Sequence, residues 1–138
     1  WKNLGIIILF LAVLITFTDQ ITNLFKNGFQ RLRPCNDVDV NQIARIVEHR
    51  NSFSFFSGHA ANSMASTMFI FLLIRKFYKH TYLLFLFPFI FAFSRIYLGL
   101  HFPGDILTGY LFGATFGILF YKLYLFFGEK YNFITKPD

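Results

Sequence analysis

The sequence predicts an all-α bundle of membrane-spanning helices, and three observations carry that prediction. Apolar residues make up 55% of the 138-residue chain and charged ones only 14%, against roughly 25% charged in soluble domains. The 22 phenylalanines exceed what a water-soluble core of this size can hide. The apolar residues also fall into four runs, each close to the roughly 17–25 residues that a helix needs to cross a bilayer. A single membrane domain, residues 1–138, accounts for the whole chain.

The first run covers residues 4–25, dense in Ile and Leu up to Phe17 and more polar at Asp19 and Asn23. The second covers residues 59–74 and stops before Arg75 and Lys76. The third, residues 81–97, contains Pro88, where a kink is expected. The fourth opens at Pro103, a residue suited to the first turn of a helix, and runs to residue 127. Within it Lys122 is placed to snorkel to the interface. The polar connection at residues 26–58 is expected to hold a short helix near residues 40–49 and otherwise loop.

Four helices crossing alternately gather their unusual residues on one side. Lys26 and Arg33 follow the first helix, His59 starts the second, Arg95 ends the third, and His101 with Asp105 opens the fourth. The other side receives Lys2, Arg75, Lys76, Lys79, Lys130 and Lys136. Its compact "RKFYKH" loop fits the cytoplasm by the positive-inside rule, which puts the gathered residues outside. The formal charge of +6 is therefore split between two faces rather than drawn into one stripe, and no nucleic-acid partner is expected. Cys35 is the only cysteine, so no intrachain disulfide forms. No small-residue cleavage site follows the first run, so a cleavable signal peptide is not expected.

Ionisable groups at membrane depth are costly and usually mark function. His101 and Asp105 are four apart, so the carboxylate can meet one imidazole nitrogen and leave the other free as nucleophile or base. Gly109, Gly113 and Gly117 continue the same spacing and supply a close-packing face between helices. His59, Ser63 and Ser66 or Thr67 line one face of the second helix, with Asn62 alongside. Ser57 and Gly58 stand where that helix's free N–H groups and dipole favour an anion. With Lys26, Arg33 and Arg95 nearby, the set suits a multiply charged oxyanion, phosphate above all. The two histidines can supply the nucleophile and the acid that phosphoryl transfer needs.

Other polar residues have plainer roles. His49 and His80 read as interfacial or capping residues, and Arg31, Arg45, Glu48 and Arg50 as loop solvation or salt bridges. Asp19 and Asn23 share a face with Lys26 and read as bundle-stabilising hydrogen-bond partners. Cys35 is a bystander, and the phenylalanines face lipid or core, some of them shaping a slot for a lipid chain. His59, His101 and Asp105 would also suit zinc or iron. Three nearby cations repel a divalent ion, so neither metal nor cofactor is expected.

Three motifs carry a family resemblance: "KNGFQRLRP" (Lys26 to Pro34), "FSGH" (Phe56 to His59) and "SRIYLGLHFPGD" (Ser94 to Asp105). Together they resemble the membrane-bound type II phosphatidic acid phosphatase superfamily, whose core is shared with acid phosphatases and vanadium haloperoxidases. The resemblance implies that His101 is a nucleophile forming a phosphohistidine, that Asp105 orients it, and that His59 is the general acid. It implies phosphate binding by Lys26, Arg33, Ser57, Gly58 and Arg95, and no metal. It further implies a bacterial inner-membrane protein acting at the extracytoplasmic face on a lipid phosphate or pyrophosphate. The stretches "DQITNLFKNGFQRLRP" and "FSGHAAN" resemble small bacterial members acting on undecaprenyl pyrophosphate.

Two departures stand out. Phe56 replaces the motif's proline, which is expected to loosen the turn before the second helix. Bacterial relatives usually carry two further helices ahead of the first one here, and with Trp1 in first position a partial chain is expected. A non-catalytic phospholipid carrier and a lipid phosphotransferase are the competing functions.

Overall fold

The computed structural model describes residues 2–131. Its main elements are α1 (Lys2–Phe29), α2 (Val38–Asn41), α3 (Gly58–Ile74), a 3-10 helix (Thr81–Phe85), α4 (Leu86–Tyr97) and α5 (Pro103–Lys130). No strand occurs among the described residues. Trp1 and Lys136, which bear on the sequence expectations, lie outside them.

Two helices, Asn3–Phe29 and Pro103–Lys130, are long and apolar enough to cross a membrane. Gly58–Ile74 and Thr81–Tyr97 are apolar but shorter. Large apolar side chains face outward on α1 (Ile8, Leu9, Val13) and on α4 (Phe87, Phe89, Ile90, Phe93). A surface of that kind suits lipid rather than water. The hydroxyls of Thr16, Thr18 and Thr22 donate to the carbonyls four residues earlier in α1, at 2.9, 2.8 and 2.8 Å. That satisfies them without water.

The bundle is built on α3 against α5. Gly109, Gly113 and Gly117 are buried against Ser57, Ala61 and Ala65, two four-residue repeats in register. A Cβ at Gly109 would lie 2.8 Å from the Ser57 carbonyl oxygen, and one at Gly117 2.6 Å from that of Ala65. At Gly113 it would collide with the Ala61 carbonyl, so any side chain on this face would push the helices apart. α1 joins through Leu14, which packs with Ala65, Phe69, Phe120 and Tyr124.

The helical segment at residues 81–97 opens with 3-10 turns, and Pro88 lies in the opening turn of α4. A missing N–H is tolerated there, because the first N–H groups of a helix have no intrahelical acceptor. The short helix expected at residues 40–49 is instead the four-residue α2, whose N-cap Asp37 accepts from the N–H groups of Asp39 and Val40 at 3.2 Å each. The chain beyond α2 is drawn to the α4–α5 turn, where the Val47 and Glu48 N–H groups both approach the Leu98 carbonyl at 3.3 Å. Gly99 makes that turn with φ +74°, and a Cβ would lie 2.8 Å from Ile46 Cδ1. Finally, Phe56 does not loosen the entry to α3. It is fully buried and stacks on Phe112, ring centroids 4.8 Å apart, with Phe25 edge-on at 5.3 Å.

Candidate active site

The start of α5 organises the site. Asp105 sits in the first turn, where its Oδ2 accepts from the Phe102 N–H at 3.0 Å and ties the helix entry down. Ser54 Oγ donates to the same oxygen. Oδ1 faces Arg31 Nη1 at 3.0 Å. The carboxylate is wholly buried, and each of its oxygens has a partner. His101 Nδ1 lies 3.7 Å from Oδ2, within ion-pair reach but too long for a hydrogen bond. The other nitrogen, Nε2, faces Arg33 Nη1 at 3.1 Å.

Arg33 is held on every side. Its Nε donates to the Ser52 carbonyl at 2.7 Å, Nη2 to Ser52 Oγ at 2.8 Å, and Nη1 to the Leu100 carbonyl at 2.9 Å. These bonds position the guanidinium against the imidazole before any ligand arrives. Burial pushes the His101 imidazole below its ordinary value, partly offset by Asp105. His101 is therefore neutral at neutral pH, and its Nε2 lone pair accepts from Arg33 in the resting protein.

The start of α3 provides the second half. Ser57 is the N-cap, and its hydroxyl accepts from the Ala60 N–H at 3.4 Å. Its own N–H donates to the Asp105 carbonyl at 3.1 Å, which couples the two helix entries directly. Gly58 allows α1 to approach: a Cβ there would lie 3.3 Å from Thr22 Cγ2 and 3.9 Å from Lys26 Nζ. Lys26, Gly58 and His59 line a cavity of about 470 Å³ that continues along α1 and α3 past Asp19, Asn23, Asn62 and Ser66, with Phe87 and Phe91 opposite. The Arg95 guanidinium lies over the Phe91 ring, 5.2 Å from its centroid, and its Nε is buried without a hydrogen-bond partner among the described residues.

Six of the eight site residues expected from the sequence fall in two clusters. Arg33, His101 and Asp105 form one, and Lys26, Gly58 and His59 line the cavity beside it, with Ser57 between them and Arg95 behind Phe91. His101 is buried behind Arg33 rather than open to the cavity. Ser54 was not expected. Arg31, read from sequence as loop solvation or a salt bridge, pairs with Asp105 while resting over Phe102, 4.3 Å from the ring centroid. The one sequence signal for Ser54 is the recurrence of serine at positions 52, 54 and 57 between phenylalanines and asparagine. Asp19 and Asn23, read as bundle stabilisers, also form part of the cavity wall.

Comparison with known proteins gives a consistent picture. Residues 5–129 match the PAP2 superfamily. A lipid A 4'-phosphatase of Bacteroides thetaiotaomicron is 38% identical over 125 residues, which cover 88% of this chain and 55% of that protein. Another lipid A 4'-phosphatase, from Porphyromonas gingivalis, is 34% identical over 131 residues, covering 92% of this chain and 54% of that protein. Among solved structures, a transmembrane PAP2-type phosphatidylglycerolphosphate phosphatase from Bacillus subtilis superposes with a TM-score of 0.63 at 27% identity, covering 88% of this chain and 59% of that one. The chain spans about half the length of the curated relatives it matches.

Proposed function

The chain belongs to the PAP2 superfamily, and from that premise we propose that it hydrolyses a lipid phosphate through a phosphohistidine on His101. The observation that carries the reading is the held pair: Arg33 Nη1 3.1 Å from His101 Nε2, with the Asp105 carboxylate 3.7 Å from Nδ1. In the first step Nε2 attacks phosphorus, and the bond from phosphorus to the lipid oxygen breaks. His59 gives its proton to that oxygen. In the second step water attacks phosphorus, the N–P bond breaks, and His59 takes the water's proton.

Arg33, Lys26, Arg95, the Ser57 hydroxyl and the Gly58 N–H bind the phosphoryl oxygens in this scheme. Each well-placed donor contributes about 2.7–4 kcal/mol to the transition state. An incoming phosphate oxygen takes over the Arg33 contact that Nε2 holds in the resting protein. The cluster of cations makes a divalent ion unnecessary for charge neutralisation.

The relatives named as lipid A 4'-phosphatases and the protein named phosphatidylglycerophosphatase B of Bacillus subtilis, 32% identical over 129 residues, favour a phosphomonoester. Undecaprenyl pyrophosphate, expected from the sequence, has no such support. We place the chain in a bacterial inner membrane with four crossings, the two shorter helices included, and the site on the extracytoplasmic face.

The test is inorganic phosphate release in detergent, with chelator present, from a 4'-phosphorylated lipid A, phosphatidylglycerophosphate, phosphatidic acid and undecaprenyl pyrophosphate. Release from the monoesters unaffected by chelator is expected. Lipid binding without release from any of them would instead mark a carrier, and transfer of the label to an alcohol would mark a phosphotransferase.

A further inference from the structure

The cavity is larger than a phosphate requires. Its 470 Å³ equals the liquid volume of about fifteen waters at ~30 Å³ each, room for the phosphate and a further group of sugar size. That room lies in one direction. Asp19 precedes Lys26 by seven residues of α1, or about 10 Å at a 1.5 Å rise per residue. Asn62 and Ser66 lie one and two turns into α3 from Gly58. Both sets recede from the helix ends that carry Lys26 and His59, towards the membrane. When a lipid-anchored phosphate is bound at those ends, this is where its leaving alcohol lies.

The chemistry of that half is specific. Asn62 Nδ2 donates to Asp19 Oδ1 at 2.6 Å, which fixes the amide. Asn62 Oδ1 is then a buried acceptor without a hydrogen-bond partner among the described residues, and Asp19 and Asn23 line the same cavity. An acceptor-rich pocket takes hydroxyl donors. It rejects hydrocarbon, which would leave these groups buried and unpaired, and the Asp19 carboxylate repels a second phosphate. Phe87 and Phe91 form the opposite wall and suit the C–H face of a ring or glyceryl group.

We propose that Asp19, Asn23 and Asn62 form a specificity subsite for the hydroxylated leaving alcohol of a lipid phosphomonoester, a sugar or a glycerol. The assignment rests on the phosphatase reading above and adds to it the class of alcohol released. By the same chemistry, pyrophosphates and phosphates on bare hydrocarbon are poor substrates.

The experiment compares wild type, Asp19→Asn and Asn62→Leu in detergent, with kcat/KM measured for phosphatidylglycerophosphate, a 4'-phosphorylated glucosamine lipid and phosphatidic acid. Both variants are expected to lower the preference for the two hydroxylated substrates over phosphatidic acid by about tenfold, the equivalent of one hydrogen bond. If Asp19 and Asn62 only tie α1 to α3, all three substrates fall by one common factor and the thermal midpoint drops, which overturns the subsite. Release with an unmoved preference overturns it as well, and leaves the phosphatase reading standing. No release from any lipid by the wild type overturns both.

Discussion

Replacement of His101 by glutamine is expected to reduce lipid phosphate hydrolysis by more than about a thousandfold. Glutamine is of similar size and can keep a polar contact to Arg33, so the buried cluster retains a partner while losing the nitrogen proposed to form the covalent bond. His101 is buried, which makes a larger truncation ambiguous between lost chemistry and lost packing. Glutamine limits that ambiguity, and thermal unfolding in detergent measures whatever remains. A variant that is folded and inactive is the expected result. One that is folded and retains a tenth of wild-type turnover contradicts the assigned nucleophile.

Arg33→Lys is expected to be nearly as damaging, about a hundredfold in kcat/KM. Arg33 spreads three nitrogens over Ser52, Leu100 and His101 at 2.7 to 3.1 Å. An ammonium keeps the charge but cannot span those acceptors, so the Ser52 and Leu100 carbonyls lose their donor and the loop before α3 loses its anchor. The predicted signature is a lower kcat together with a raised KM, because in the proposed scheme the fork binds the ground-state phosphate and holds its transition state more tightly still. A lysine variant with wild-type kinetics would show that charge alone suffices there, and that the guanidinium geometry is incidental.

The sequence revealed the helices through length and periodicity, and the His101–Asp105 pair through spacing. A spacing of four positions from His101 to Asp105 places both on one side of a helix entry whatever lies around them. The Gly109–Gly113–Gly117 face was legible for the same reason: helical period is a local property, and the structure buries all three against α3. What was not legible depends on the path of residues 30–57, which has no period. Arg31 read as a solvated or salt-bridged loop cation, but nothing in its neighbourhood shows that the chain returns to Asp105 as its partner. Ser54 is fully buried against the same carboxylate through a fold-back across 51 residues. Phe56 looked like a weakened turn, yet its ring has Phe112 to stack on, a partner 56 positions away in the chain. Asp19 and Asn23 were placed on the right face of α1. Their exposure to a cavity became visible only once α4 stood opposite them.

The covalent intermediate offers the most direct test of the whole account. Wild-type protein is mixed with a phosphate-labelled lipid monoester, quenched during turnover in alkali, where phosphohistidine survives, and digested for peptide mapping. The account predicts label on the peptide carrying His101, and none on the His101→Gln protein. Active protein that never carries label, or label found on another residue, would contradict it.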